Sequence, residues 1–314
     1  MANDTKDEIL RCTLGDGAAR LVAVTTTEVA REAIRRHGAT GASAIALARG
    51  LTSGLLLATL TKDEERVTLQ LLGDGPLGGV TVDATAGGTA RGYVKHTDVP
   101  LPPAAPGARP SLARAVGTKG VLGVVRDVGL RESFRGQVEL AGGEIDDDCA
   151  HYLTTSEQIE SALRCETLLD ARGELVASVG VLVQALPGGR GVRAVLASQA
   201  HFEDGALLRA LEAGPAGAEA LVAGLRADGD GALGEAQGAL SVLEARPVRF
   251  FCPCSRERAA ASLALLGAAD LAAMILEDGK AEVICNFCRA RHDFTAAELE
   301  LMRRELGGPS GPPS

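Results

Sequence analysis

Four cysteines near the C-terminus carry the clearest chemistry in the chain. Cys252 and Cys254 lie in "RFFCPCSRER", and Cys285 and Cys288 lie in "ICNFCRAR". Thirty residues, 255 to 284, separate the two pairs. Four thiolates complete a tetrahedral shell for one Zn²⁺, which favours soft sulfur and has no redox chemistry of its own. His292 is a competing ligand, but four sulfurs already fill the shell. Cys254 stands just before an expected helix N-terminus, beside Arg256 and Arg258, and Arg289 and Arg291 follow Cys288. Positive charge and helix N-termini favour thiolates, the form that oxidants attack. With the metal gone, each close pair is a ready disulfide partner. The loop of Cys285-x-x-Cys288 has the usual size, whereas Cys252-x-Cys254 closes a short, strained loop whose oxidation needs local backbone freedom.

The elements that must position these thiols are legible in residues 246–306. "RERAAASLALLG" and "AADLAAMILEDG" read as two helices separated near Gly267, with Gly279 stopping the second. "AEVICNFCRARHDF" reads as two short strands around a Cys-x-x-Cys turn. Thr295 and Glu298 form a capping box for a last helix, with Phe294 and Leu299 as its hydrophobic staple. A module of roughly 60 residues is at the lower edge of self-sufficiency, so metal binding supplies much of its folding energy. The tail from 307 to 314, "GGPSGPPS", reads as disordered.

Upstream, residues 202–245 hold eight acids, two bases, eight glycines and eight leucines, a net charge of −6 against −9 for the whole chain. Leucines at helical spacing predict short amphipathic helices. Interior glycines cost about 1 kcal/mol each relative to alanine, and Pro215 breaks any long helix. Such a segment folds only against a neighbour. It is either an ordinary helical linker or a metastable one.

Residues 18–187 read as one α/β or α+β domain. "ARLVAVTTT" is an expected strand, followed by helices over about 28–37 and 41–60. "RVTLQLL", "VTVDA", "RGYVKH", "GVLGVVRDV" and "SFRGQVEL" are further strands. The acids Asp146 to Asp148 open a helix near 146–163, and "ELVASVGVLVQALPGG" is a long buried strand. The apolar run Ala42 to Leu60 carries Arg49 and two glycines, which marks it as a buried core helix instead of a membrane span. The start, "MANDTKDEIL", has no apolar signal segment.

Other features weigh against enzymes and nucleic-acid binders. Gly73-x-Gly75-x-x-Gly78 has the spacing of a dinucleotide loop, but "GVTVDA" follows it as a strand, so a tight hairpin is expected. Cys12, Cys149 and Cys165 stand alone and read as packed thiols, and the remaining histidines, His37, His96, His151 and His201, suggest no triad. A thiol oxidoreductase using Cys285 and Cys288 would lack a thioredoxin-like context. A nucleic-acid-binding zinc ribbon is the stronger alternative, because four arginines flank the cysteines. Yet residues 246–306 hold nine bases and nine acids, which is no basic footprint.

On "FFCPCSRER", the spacing to "ICNFC", the preceding "ILEDG", and upstream "LQLLGDGPLGGV", "TTSEQI" and "SVGVLVQALPG", the sequence resembles the 33 kDa chaperonin family of redox-regulated heat-shock holdases. The resemblance runs from about residue 8 to 306. It implies an α+β protein: an N-terminal mixed α/β chaperone core over 1–187, a metastable helical linker over 188–245, and a four-cysteine zinc redox-switch domain over 246–306. It implies one Zn²⁺ on Cys252, Cys254, Cys285 and Cys288 in the reduced, inactive state. Under oxidants, often with heat, it implies zinc release, disulfides Cys252–Cys254 and Cys285–Cys288, unfolding of the linker, and ATP-independent binding of unfolding client proteins. A homodimer in the oxidised state, hand-over to ATP-dependent foldase chaperones and a cytoplasmic location are further implications; the net charge of −9 separately argues against a membrane or specific nucleic-acid partner. The linker here is unusually rich in Ala and Gly, so the client-binding surface does not carry over.

Overall fold

The computed structural model describes residues 6–306 apart from 16, 63–64, 103–107, 128, 130–132, 189, 215–216 and 228–238. Pro215, the linker acids Asp228, Asp230 and Glu235, and the tail 307–314 lie outside the described residues. The chain divides into two compact units, Met1–Phe251 and Cys252–Ser314.

In the first unit the elements run β1 (Glu8–Leu14), β2 (Ala19–Thr25), α1 (Thr27–His37), α2 (Gly41–Ala58), β3 (Arg66–Gly73), β4 (Val80–Thr85) and β5 (Thr89–Val94). There follow α3 (Ala113–Val116), β6 (Gly120–Asp127), β7 (Phe134–Glu139), α4 (Ile145–Thr155), β8 (Ser161–Leu169) and β9 (Leu175–Ala185). Then come α5 (Val192–Glu203), α6 (Ala206–Glu212), α7 (Ala218–Ala227), β10 (Leu240–Pro247) and β11 (Arg249–Phe250). The second unit holds α8 (Arg256–Ala264), α9 (Ala268–Glu277), β12 (Lys280–Ile284), β13 (Arg291–Thr295) and α10 (Ala296–Leu306).

Two sheets organise the first unit, in the orders β10-β1-β2-β9-β8 and β11-β5-β4-β3-β6-β7. α2 is apolar on all sides, so it needs cover all round. It lies in the core shared by inward faces of both sheets, with Val22 and Val24 from one and Val67, Leu69 and Val82 from the other. Its 18-residue window is 94% buried, in keeping with a core helix. The opposite face of the five-stranded sheet is covered by α5, α6 and α7. Val195, Phe202, Leu207, Leu211, Leu221 and Leu225 pack there on Leu10, Leu21, Val181 and Val183. Both faces of β9 are therefore covered, which explains its near-continuous apolar run. β3 alternates buried and exposed residues, as a strand with one wet face must.

Elements set by neighbouring residues form where their signals stand. α1 carries Glu28 in its first turn and Arg35, Arg36 and His37 in its last, and Gly38 closes it in the left-handed conformation at φ 62°. The Gly73–Gly78 stretch joins the antiparallel strands β3 and β4, with no helix after it.

Several expectations need correction. The helix read over 146–163 stops at Thr155, and the chain has already entered β8 at Ser161. Glu8–Leu14, where no strand is expected, forms β1. The segment 188–245 is not helical throughout: Leu240 onward is β10, paired antiparallel with β1 from Leu14↔Leu240 to Glu8↔Pro247. β10 is defined by a partner more than 200 residues away, whereas β1 also pairs with its sequence neighbour β2, from Ile9↔Val24 to Leu14↔Ala19. Where β10 meets Arg11 and Cys12 the register slips, leaving Leu243 as an exposed bulge.

Candidate metal centre

Cys252 and Cys254 precede α8, and their approach is set by the helix cap. Ser255 is extended at φ −145°, ψ 168°, and its Oγ accepts a hydrogen bond from Arg258 N at 3.3 Å. Cys285 and Cys288 sit in the turn between β12 and β13. These strands pair from Lys280↔Thr295 to Ile284↔Arg291. Cys285 N donates to Ala290 O and Arg289 N to Cys285 O, both at 2.9 Å. Arg289 takes a left-handed φ of 61° to close this turn.

The structure brings all four thiols together: their Sγ atoms lie within 4.8 Å of one another. Between the pairs, Cys252 Sγ lies 3.7 Å from Cys285 Sγ and Cys254 Sγ 3.2 Å from Cys288 Sγ. A tetrahedral zinc shell with Zn–S bonds of about 2.3 Å requires S···S separations of about 3.8 Å. The cluster brackets that value, and its donor set, four sulfurs and no oxygen, suits zinc. Cys288 is buried and the other three are half-buried. His292 lies on β13 outside the cluster, its Nε2 without a hydrogen-bond partner among the described residues.

The electrostatics differ from the sequence expectation that flanking arginines favour thiolates. Burial pushes the Cys254 thiol up, and its neighbours Cys288 and Cys252 push it further; burial also raises Cys288. Gathered thiols resist ionising together unless a cation offsets their charge. The arginines are partly committed elsewhere. Arg256 pairs with Glu298 at 2.6 Å and lies 4.4 Å over the Phe294 ring, while Arg291 pairs with Glu282 and Asp293 at 2.8 Å each. These pairings also weaken the nucleic-acid alternative.

The support around the thiols is thin. Ala259, Leu263, Leu271, Phe294 and Leu299 form the buried core of this unit, while Leu265 and Leu276 are 87% and 86% exposed. The capping box forms as read. Thr295 N donates to Glu298 Oε2 at 2.8 Å, Glu298 N donates to Thr295 Oγ1 at 3.4 Å, and the staple residues Phe294 and Leu299 share the core. That backbone donor and the Arg256 guanidinium hold Glu298 at about 2.

Cys12, Cys149 and Cys165 are buried in the first unit, as packed thiols. Cys165 Sγ lies 3.3 Å from Ser53 Oγ. Beside it is a buried ion cluster that the sequence reading missed. Arg49, fully buried in mid-α2, pairs with Glu144 at 3.1 Å and faces Glu166 at 3.8 Å. Arg109 grips buried Asp146 at 2.5 Å, and Arg164 reaches Asp147 at 3.1 Å. Burial pushes Asp146 up, but Arg109 and Arg49 outweigh it and hold it below the usual carboxylate range. Asp146 is thus an interior counter-ion as well as a helix-dipole partner. An arginine interrupting an apolar run was the available signal, since a buried cation needs an acid.

A family model described as Hsp33 protein matches residues 7–295. Among curated proteins, the chain is 40% identical over 307 residues to a 33 kDa chaperonin of Gloeobacter violaceus, covering 96% of each. It is 35% identical over 297 residues to a 33 kDa chaperonin of Bacillus subtilis, covering 95% of this chain and 98% of that one. Among solved structures, a 33 kDa chaperonin (heat shock protein 33 homolog) of Thermotoga maritima superposes with a TM-score of 0.74 at 32% identity, covering 96% of this chain and 98% of that one.

Proposed function

The chain belongs to the Hsp33 family of chaperones, and from that membership we propose that it is an ATP-independent holdase switched by the redox state of its four C-terminal cysteines. The observation that carries this reading is the convergence of Cys252, Cys254, Cys285 and Cys288 to within 4.8 Å at Sγ. In the reduced, resting state these four residues hold one Zn²⁺, which supplies the charge that keeps four thiolates together. The small apolar core around them supports that dependence, because it offers little folding energy of its own.

Activation is oxidation of the thiols by peroxide. Counted from the thiols, each pair gives two electrons and two protons to one H₂O₂. Two S–H bonds and one O–O bond break, and one S–S bond and two waters form. The pairs are Cys252–Cys254 and Cys285–Cys288. Their oxidation removes all four metal donors, and the switch over 246–306 loses its fold. The linker over 188–245 then leaves the core over 1–187, exposing apolar side chains to unfolding clients while its acids keep the complex soluble. Leu207, Leu211, Leu221 and Leu225 form that apolar face. The oxidised protein dimerises, holds clients without chemical turnover in the cytoplasm, and passes them to ATP-dependent foldases when reducing conditions return.

The test is one comparison. Zinc-loaded protein is treated with peroxide under mild heat, zinc release is followed, and suppression of aggregation of a denatured client is measured. Metal release and client protection are expected to rise together. Equal protection by reduced and oxidised protein would reject redox control.

A further inference from the structure

The chain enters the cysteine unit along the edge of a sheet. β11 pairs in parallel with β5, Arg249 opposite Thr89 and Phe250 opposite Ala90. Arg249 N donates to Gly88 O at 2.8 Å and Phe251 N to Ala90 O at 3.1 Å, while Val248 N donates to Asp7 O at 2.8 Å. Gly88, at φ 87°, allows this approach: a Cβ there would lie 2.2 Å from Pro247 O. Two side chains anchor the segment. Val248 is buried, and Phe250 packs on the main core with the Arg36 guanidinium 5.0 Å from its ring.

This ladder stops for a chemical reason. Donors at 249 and 251 bond acceptors at 88 and 90, so the next donor would be residue 253, facing Gly92 O. Residue 253 is proline and has no N–H. Because outward-facing amides alternate along a strand, Gly92 and Val94 carry the next pairs on that edge, and no β11 residue stands opposite them. The edge of β5 is therefore paired over its first half by a short strand joined directly to Cys252, and over the rest, at Gly92 and Val94, it is buried at rest.

We propose that the outer edge of β5 is a strand-acceptor site, held at rest by the chain's own Val248–Phe251 and taken by an extended apolar segment of a client polypeptide once that strap leaves. This rests on the holdase reading above and names the surface that performs it. The seated strap is itself the pattern of the ligand: extended backbone, parallel register, and a bulky apolar side chain at the Phe250 position. A client segment free of proline would continue the ladder past Ala90 to Gly92 and Val94. Main-chain bonds recognise any sequence, which suits a protein that holds many clients.

The test uses the full-length protein and a permanently unfolded probe, reduced and carboxymethylated α-lactalbumin. Amide exchange is measured for the reduced zinc-loaded form, the peroxide-treated form, and the latter with probe. Exchange at Arg249 and Phe251 should speed up at least tenfold on oxidation, and Gly92 and Val94 should slow when probe is added. A photoreactive residue at Thr89 should cross-link the probe in the oxidised form alone. Phe250→Ala should loosen the strap and give that cross-link in the reduced form too. Probe retained with Arg249 and Phe251 still protected, or with no slowing at Gly92 and Val94 and no cross-link, overturns the site while leaving the holdase reading intact. Failure of the oxidised protein to retain probe at all overturns both.

Discussion

Cys254 Sγ lies 3.2 Å from Cys288 Sγ, so one thiol from the segment before α8 and one from the β12–β13 turn meet across about 30 residues of helical hairpin. The start of the unit thus meets the β12–β13 turn at the sulfurs, and the few buried apolar side chains come from α8, α9, β13 and α10.

Metal removal is expected to unfold this unit and spare the first. Structural zinc contributes on the order of 10–16 kcal/mol at neutral pH in small domains, more than this core can supply alone. Chelation under reducing conditions should abolish amide protection at Leu271 and Leu299 while Leu69 and Val181 stay protected. Cys288→Ser should do the same without chelator. Persistent protection at Leu271 in metal-free protein would contradict the dependence.

Oxidation should join neighbours in sequence although Cys252 stands only 3.7 Å from Cys285 and Cys254 only 3.2 Å from Cys288 across the pairs. With the unit unfolding as it oxidises, short loops close fastest. Cys285–Cys288 should form first, and Cys252–Cys254, with its strained loop, should lag and speed up with heat. Peptide mapping of alkylated time points decides this. Cross-pair bridges as the main products would show that the thiols react inside the folded cluster.

Arg49→Met is expected to destabilise the first unit by up to about 3 kcal/mol, since it removes the fully buried cation and leaves Glu144 with Arg109 at 3.8 Å and Glu166 with Arg109 at 3.3 Å and Arg164 at 3.5 Å. Adding Glu166→Gln should recover part of the loss, because burial already raises Glu166 above the ordinary carboxylate range. Urea unfolding of the two variants tests this. A single-variant loss under about 1 kcal/mol would mean that the cluster relaxes or hydrates.

Asp7 gives a stability term with a defined pH window. Burial raises it from 3.8 to about 6, despite a 2.7 Å hydrogen bond from Val29 N to its Oδ2, and Glu28 adds to the rise. A carboxyl raised on folding binds more protons in the folded state between those values. Its contribution is full below about pH 4 and is lost as pH rises through about 6, by up to about 3 kcal/mol. Asp7→Asn should therefore match the parent at pH 4 and exceed it in stability above pH 6. Parallel pH profiles for the two proteins would refute this account.

The sequence by itself determined the four-cysteine cluster and its immediate frame. The paired cysteines, the Ser255 cap, the turn before β13 and the Thr295–Glu298 box all rest on neighbours a few residues apart, whose geometry follows from backbone and capping rules. It also made α2 a core helix, because a helix apolar on every side has nowhere else to go. Tertiary structure decided what depends on distant partners. Only pairing with β1 makes Leu240–Pro247 a strand, and only folding brings Arg109 and Glu166 to Asp146 and Arg49. It also lays Phe250 on β5 under Arg36, a placement no local pattern specifies. Hydrogen-bond ladders and buried charges take their meaning from what lies opposite, and a linear chain does not show what lies opposite.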